Sequence, residues 1–184
     1  MNIDPLNPEV ADWGLWALMM VNDIPAATSW GRQQLKLHPY HPYILIGSSV
    51  THYIQGDHET SIALAQKAVT ISDRAPLSLI VLAQAYIASK KVALARPLIA
   101  EVQSLKEYNC PYETAVAFIQ LKEINKAFEQ LNKAVGYQSN CLIFIRNDPR
   151  LTPIRQDRRY EDILKKINLN DTAVSKFMQA SIFK

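Results

Sequence analysis

The chain has 184 residues, 48% apolar and 20% charged, the composition of a folded domain and not of a disordered segment. Its 20 basic and 17 acidic residues leave a formal charge of +3, too small to imply nucleic-acid binding by charge alone. The five glycines form no GxGxxG or GxxxxGK[ST] pattern, so no phosphate-cradling glycine loop is expected.

The N-terminus carries Asp4, Glu9 and Asp12 and has no basic region followed by a small-residue cleavage site, so it does not read as a signal peptide. The longest apolar run, Trp13–Val21, is about half of what a bilayer span requires. Cys110 and Cys141 are far apart and form no CxxC pair, which fits two free thiols in a reducing compartment. A soluble, cytoplasmic protein is expected.

In chain order, Pro8, Pro42 and Pro76 recur at a spacing of 34, and "NIDPLNP" lines up with "KLHPYHP". Ile3-Asp4-Pro5-Leu6-Asn7 takes the place that Leu37-His38-Pro39-Tyr40-His41 takes one period later, the end of a second helix. Residues 1–7 therefore read as the tail of a preceding repeat, and the chain as a fragment that begins mid-array. The first unit (8–41) has a helix through Ala11, Gly14, Leu15 and Leu18, a break at Asn22-Asp23, and a second helix through Ala27 and Gly31.

The second unit (42–75) runs through Leu45, Ile46, Ser49, Val50 and Tyr53, turns at Gln55-Gly56-Asp57, and continues through Ile62, Ala65, Ala68 and Val69. In the third (76–107), Leu79, Leu82, Ala83 and Tyr86 precede a turn at Ser89-Lys90-Lys91 and a stripe of Ala95, Ile99 and Val102. A fourth (108–138) fits if it starts near Tyr108, with Ala115 and Phe118 leading to Ala127, Leu131, Ala134 and Val135. Small residues such as Ala27, Ala95 and Ala127 fall where the two helices of a hairpin cross, so the backbones can approach.

From Ser139 the pattern changes. Leu151, Ile154, Tyr160, Ile163, Leu164 and Ile167 are spaced to cover the end of such an array, and residues 139–169 read as capping helices. Residues 170–184 read as one more short helix from Thr172, with Phe177, Met178, Ile182 and Phe183 docked on the cap or loosely ordered.

Helical hairpins repeating at 34 residues resemble the tetratricopeptide repeat family over most of Pro8–Val135. "QGDHETSIALAQKAV" (residues 55–69) is the nearest copy of its glycine-aspartate turn, small–aliphatic pair and terminal lysine-alanine. Ser61 and Gln34 stand where alanine is usual, and His52 where an aromatic is usual. The resemblance implies an all-α fold, a right-handed α-solenoid of about four hairpins with a C-terminal helical cap. Asp148, Pro149, Arg150, Pro153, Arg155, Asp157 and Tyr160 are similar to the element that closes such repeats in many multidomain bacterial proteins; Arg158 and Asn168 depart from it. Together, repeats and ending resemble the C-terminal regions of OmpR/ToxR-like transcriptional regulators of the invasion-gene activator type. That implies a regulatory module whose DNA-reading domain lies upstream, with no nucleic-acid contact of its own.

The residues carry no catalytic pattern. His38, His41, His52 and His58 have no HExxH spacing and no Cys/His cluster, so no metal site is expected. His52 reads as a hydrogen-bonded core residue, Asp57 and Glu59 as favourable charges at a helix start. Ser48 and Ser49 lack the oriented partners of a nucleophile. No enzyme, cofactor or membrane role is expected. Arg146, Arg150, Arg155, Arg158, Arg159, Lys165 and Lys166 crowd the tail; a solvated helix face balanced by Asp148, Asp157, Glu161 and Asp162 is the simpler reading, a phosphate-binding surface the alternative.

What remains is a surface. The first helices of such repeats line a concave groove that holds a peptide or partner protein. Trp16, Met19 and Met20, then Tyr43, Val50, Tyr53 and Ile54, then Gln84 and Ile87, and finally Tyr112, Val116 and Gln120 project onto it. Two other readings compete: a chaperone of the type III secretion kind, and a sensor binding a small molecule or peptide. A homodimer through an exposed apolar end is compatible with all three.

Overall fold

Proline opens the leading helix of each pair: α1 (Pro8–Met20), α3 (Pro42–Ile54), α5 (Pro76–Ala88) and α7 (Pro111–Gln120). Its missing N–H costs nothing there, because the first amides of a helix have no intrahelical acceptor. Each is followed by a partner, α2 (Ile24–Leu37), α4 (His58–Ile71), α6 (Val92–Ser104) and α8 (Ile124–Gly136). The computed structural model describes residues 7–106 and 109–182, with side chains described through residue 176. Within those residues the chain is all-helical. Residues 1–6 of the expected preceding-repeat tail (residues 1–7) and the Tyr108 start of the fourth unit lie outside them; Asn7 is the N-cap of α1. The fourth leading helix begins at Pro111 and has 10 residues against 13 in the other three.

The first three hairpin turns keep the period, and the fourth comes early. One residue in each takes a left-handed conformation: Asn22 (φ 61°), Gly56 (φ 86°), Lys90 (φ 64°) and Lys122 (φ 61°). The next residue is the N-cap of the second helix, namely Asp23, Asp57, Lys91 and Glu123. Asp23 and Asp57 accept from the backbone amides of Ala26 and Thr60, 3.0 and 3.2 Å away. Asp57 also receives His52 Nδ1 at 3.0 Å, which partners the buried imidazole expected to be satisfied in the core. The Thr60 bonds, with His52 adding less, hold the Asp57 carboxyl below its ordinary range.

Packing follows from the hydrophobic pattern. The second helices bury one stripe each, for example Ala95, Ile99 and Val102 on α6. The leading helices are apolar nearly all round, and α3 and α5 bury almost every residue from Ile44 to Tyr53 and from Ser78 to Ala85. Consecutive helices pack in pairs, and α1, α3, α5 and α7 also touch in succession, forming an inner row. Where hairpin helices cross, Ala27, Ser61, Ala95 and Ala127 are all 0% exposed. The buried Ser61 hydroxyl is partnered by Ser49 Oγ at 3.1 Å, and Ser49 Oγ also lies 2.9 Å from the Ser61 carbonyl, to which it donates. Gly47 lets α3 approach α1, since a Cβ there would sit 2.9 Å from Leu15 Cδ2.

After α8 come two 3-10 helices, Asn140–Phe144 and Pro149–Ile154, then α9 (Arg158–Lys166) and α10 (Asp171–Ile182). The second 3-10 helix packs on α7 and α9 packs on α8, so Leu151, Ile154, Tyr160, Ile163 and Leu164 are buried as a cap requires, and Ile167 packs against them. Tyr160 Oη donates to the Ile145 carbonyl at 2.7 Å. Arg146 ties the start of α10 to the cap through the Leu169 carbonyl and Asp171. The side chains of Phe177, Met178 and Ile182, and Phe183 itself, lie outside the described residues. Among those described, no helix is long and apolar enough to cross a membrane.

Candidate functional site

Among the buried polar residues of the inner row, two join successive helices. Gln84 sits in the otherwise apolar middle of α5, and Glu113 in the first turn of α7; they are 0% and 3% exposed. Gln84 Nε2 donates to Glu113 Oε2 at 2.8 Å and to the Glu113 carbonyl at 2.9 Å. From α3, Tyr53 Oη donates to Gln84 Oε1 at 2.9 Å. A hydrogen-bonded line thus crosses three successive leading helices.

The cap completes it. Arg150 Nη1 and Nη2 donate to the two Glu113 carboxylate oxygens at 2.8 and 2.9 Å, and Nη2 and Nε reach Asp148 at 2.7 and 2.9 Å. Tyr112 Oη donates to Asp148 Oδ2 at 3.0 Å. The Arg150 and Asp148 side chains are only 4% and 0% exposed. Burial opposes the guanidinium charge, but the Asp148 and Glu113 carboxylates overcome it and hold Arg150 firmly protonated. This corrects the expectation of a solvated helix face for Arg150 and for Asp148, which was expected to balance it there: both leave the surface and enter the inner face. Arg159 and Lys165 do remain substantially exposed.

Next to this cluster the chain closes on its own beginning. The Arg150 guanidinium carbon lies 5.3 Å from the Trp16 ring centroid, and the Phe144 ring stacks near Trp16 at 5.9 Å and meets Trp13 at 5.8 Å. Between α1 and the first 3-10 helix a cavity of about 490 Å³ remains. Its walls come from α1, from the N-terminal ends of the other three leading helices with the N-caps Ala75 and Cys110, and from Asn140, Cys141 and Phe144. Helix α1 serves two purposes through two stripes: Ala11, Leu15 and Met19 enter the core, while Glu9, Asp12, Trp13 and Trp16 line the cavity.

Asp12 is the electrostatic feature of this cavity. Burial pushes its carboxyl up to about 7, and the Trp16 indole beside it offsets only part of that. Asp12 Oδ1 is buried without a hydrogen-bond partner, and it lies 3.4 Å from where a Cβ on Gly47 would stand. Cys110 and Cys141 also line the cavity as free thiols, and burial raises them to about 12 and about 11. Among the described residues no group of three or more His, Cys, Asp or Glu side chains is arranged to hold a metal ion.

The twelve residues expected to line an open groove divide into three sets. Trp16 and Tyr43 line the cavity, which the otherwise buried Tyr112 of the second set also borders. Met19, Val50, Tyr53, Gln84, Ile87, Tyr112 and Val116 are buried within the chain itself, so they offer a partner no free surface. Met20, Ile54 and Gln120 are half-buried at the far ends of α1, α3 and α7. Asp12, Trp13, Glu113, Phe144 and Arg150 were not anticipated at the site. The readable signals were the acidic-aromatic spacing 9, 12, 13, 16 on α1, and Gln84 and Glu113 as polar residues on helices too apolar to be solvated. No family model matches the chain, and no curated protein is significantly similar to it.

Proposed function

We propose that this chain is a non-catalytic regulatory module of the tetratricopeptide type, a right-handed solenoid of four hairpins that responds to a ligand held between α1 and the cap. The observation that carries this reading is the closure of the inner face. Where an extended peptide would lie, Arg150 already occupies the space with two carboxylates, and the cavity lined by Trp13, Trp16 and Phe144 is what stays accessible. Its volume suits a small molecule more than a peptide, since such sites span roughly 300–1,000 Å³. A ligand there would touch α1, α3, α5, α7 and the cap at once, and would favour the closed arrangement over any in which the cap has moved.

Attachment to a DNA-reading domain is part of the same proposal. What supports it is the resemblance of the repeats and of the Asp148–Tyr160 ending to OmpR/ToxR-like regulators, together with the lack of a catalytic pattern. A ligand-observed NMR screen of small molecules against the full chain tests the reading. Hits that bind the wild type and are lost in Trp13→Ala, a half-exposed position that leaves the core intact, support it. Hits that ignore Trp13, or a screen with none, refute it.

A further inference from the structure

The cavity's charge pattern points to the chemistry of its occupant. Its described lining includes three carboxylates, Glu9, Asp12 and Glu113, and no lysine, arginine or histidine. Glu113 is engaged by Arg150, and Arg150 by Asp148 as well, so that cluster carries one positive charge against two negative ones. Asp12 has no such partner; its Oδ1 is buried and unbonded. Around it stand the rings of Trp13, Trp16 and Phe144, whose negative faces attract cations. Arg150 over Trp16 is an example already present in the chain.

We propose that the cavity binds a small organic cation, a protonated amine with an apolar body, whose ammonium pairs with Asp12 while its body lies against Trp13, Trp16 and Phe144. The inference rests on the sensor reading of the same cavity and adds the ligand class to it. An anion would meet three carboxylates. A neutral apolar molecule would leave Asp12 Oδ1 without a donor and the carboxylate, whenever ionised, without an opposite charge. An ammonium supplies both the missing hydrogen-bond donor and the opposite charge, and the rings replace part of its hydration.

The titratable groups that share the cavity with Asp12 are Glu9 on its own helix, Tyr43 from α3, Cys110, Tyr112 and Glu113 from α7, and Cys141 from the first 3-10 helix, with Arg150 over Trp16. The α5 wall, Ala75, Pro76 and Leu77, contributes none. Both thiols and the Tyr112 phenol are pushed away from neutrality by burial, which leaves Asp12 to titrate near pH 7. An alkylammonium stays protonated across that range, so its affinity rises with the ionisation of Asp12.

The test uses the full chain and two probes of equal length, n-hexylamine and n-hexanol, followed by tryptophan fluorescence. At pH 8 the amine is expected to bind about tenfold or more tighter than the alcohol, a gap that closes in Asp12→Asn. In the wild type the amine's advantage shrinks several-fold between pH 8 and pH 6, an arm that needs no variant to fold. Equal binding of amine and alcohol, or an amine preference that survives Asp12→Asn, overturns the inference; binding of either probe that Trp13→Ala abolishes leaves the sensor reading standing. Neither probe binding overturns the inference, and the broader screen then decides the sensor reading separately.

Discussion

Arg150 and Glu113, 37 positions apart, meet through two parallel hydrogen bonds of 2.8 and 2.9 Å in a site where both side chains are 4% exposed. This bidentate pair joins the cap to the leading helix of the fourth hairpin, and Gln84 extends the connection to the second and third. An ion pair this deep is weak support for stability in itself, because desolvation offsets much of the attraction. Its consequence is geometric: the two partners must stay together, and with them the cap stays on the inner face.

Replacing Arg150 by Met therefore strands two buried carboxylates. The expected loss is about 3–5 kcal/mol of unfolding free energy, measured by urea denaturation. Arg150→Met with Glu113→Gln is expected to cost less than the sum of the single changes, with a coupling of roughly 1–3 kcal/mol. Additive single and double variants would show that the pair is not energetically coupled.

The left-handed residue in each hairpin turn gives a second prediction. Lys90 and Lys122 pay for a conformation that glycine adopts freely, at roughly 1 kcal/mol each. Lys90→Gly is expected to raise stability by up to that amount, less the entropy glycine adds to the unfolded chain. Gly56→Ala is expected to lower it by about 1 kcal/mol or more, although a Cβ there would meet nothing within 4 Å. Thermal melts of the two variants, moving in opposite directions, check the assignment.

Asp12 should leave a signature in the pH dependence of folding. Its carboxyl is raised to about 7 in the folded chain against 3.8 ordinarily, so between these values the folded state binds the extra proton. Stability contributed by the protonated form is fully present below the lower value and is lost as pH rises through about 7, with a limiting slope of ~1.4 kcal/mol per pH unit. Relative to the wild type, Asp12→Asn is expected to gain stability steadily over that window and to level off above it. Parallel urea midpoints for the two proteins at pH 5 and pH 8 would expose the difference; a constant offset would contradict it.

The two cysteines should be poor nucleophiles while the chain is folded. With the thiols raised to about 12 and about 11, the thiolate fraction at pH 8 is on the order of a hundredfold or more below that of a free cysteine. Alkylation by iodoacetamide, followed by mass spectrometry, is expected to be slow in buffer and fast in denaturant. Rapid labelling of either cysteine in buffer would show that the cavity wall opens.

Much of the architecture was legible in the residues because it depends on local rules. Proline at a first helical turn, a left-handed residue followed by a cap, and small residues at a crossing each act over a few positions. Their recurrence at 34 made the hairpins and most of their boundaries readable. The fourth leading helix was read less well, since its shortening moves the turn at Lys122 out of the strict period. Ser61 was readable as a crossing residue, but the contact of its hydroxyl with Ser49 was not.

The site is another matter. The chain's sequence by itself determined that Gln84 and Glu113 lie on helices apolar enough to be buried, and that Glu9, Asp12, Trp13 and Trp16 share one side of α1. It did not determine what would cover them. Only the tertiary structure decided that the cap folds inward, that Arg150 belongs to Glu113 instead of water, and that Phe144 reaches Trp13 and Trp16 more than a hundred residues away. Helical periodicity says which side of a helix is buried; pairing across the inner face depends on how four hairpins stack and where a 3-10 turn aims its side chains. That information lies in the packing of the whole chain.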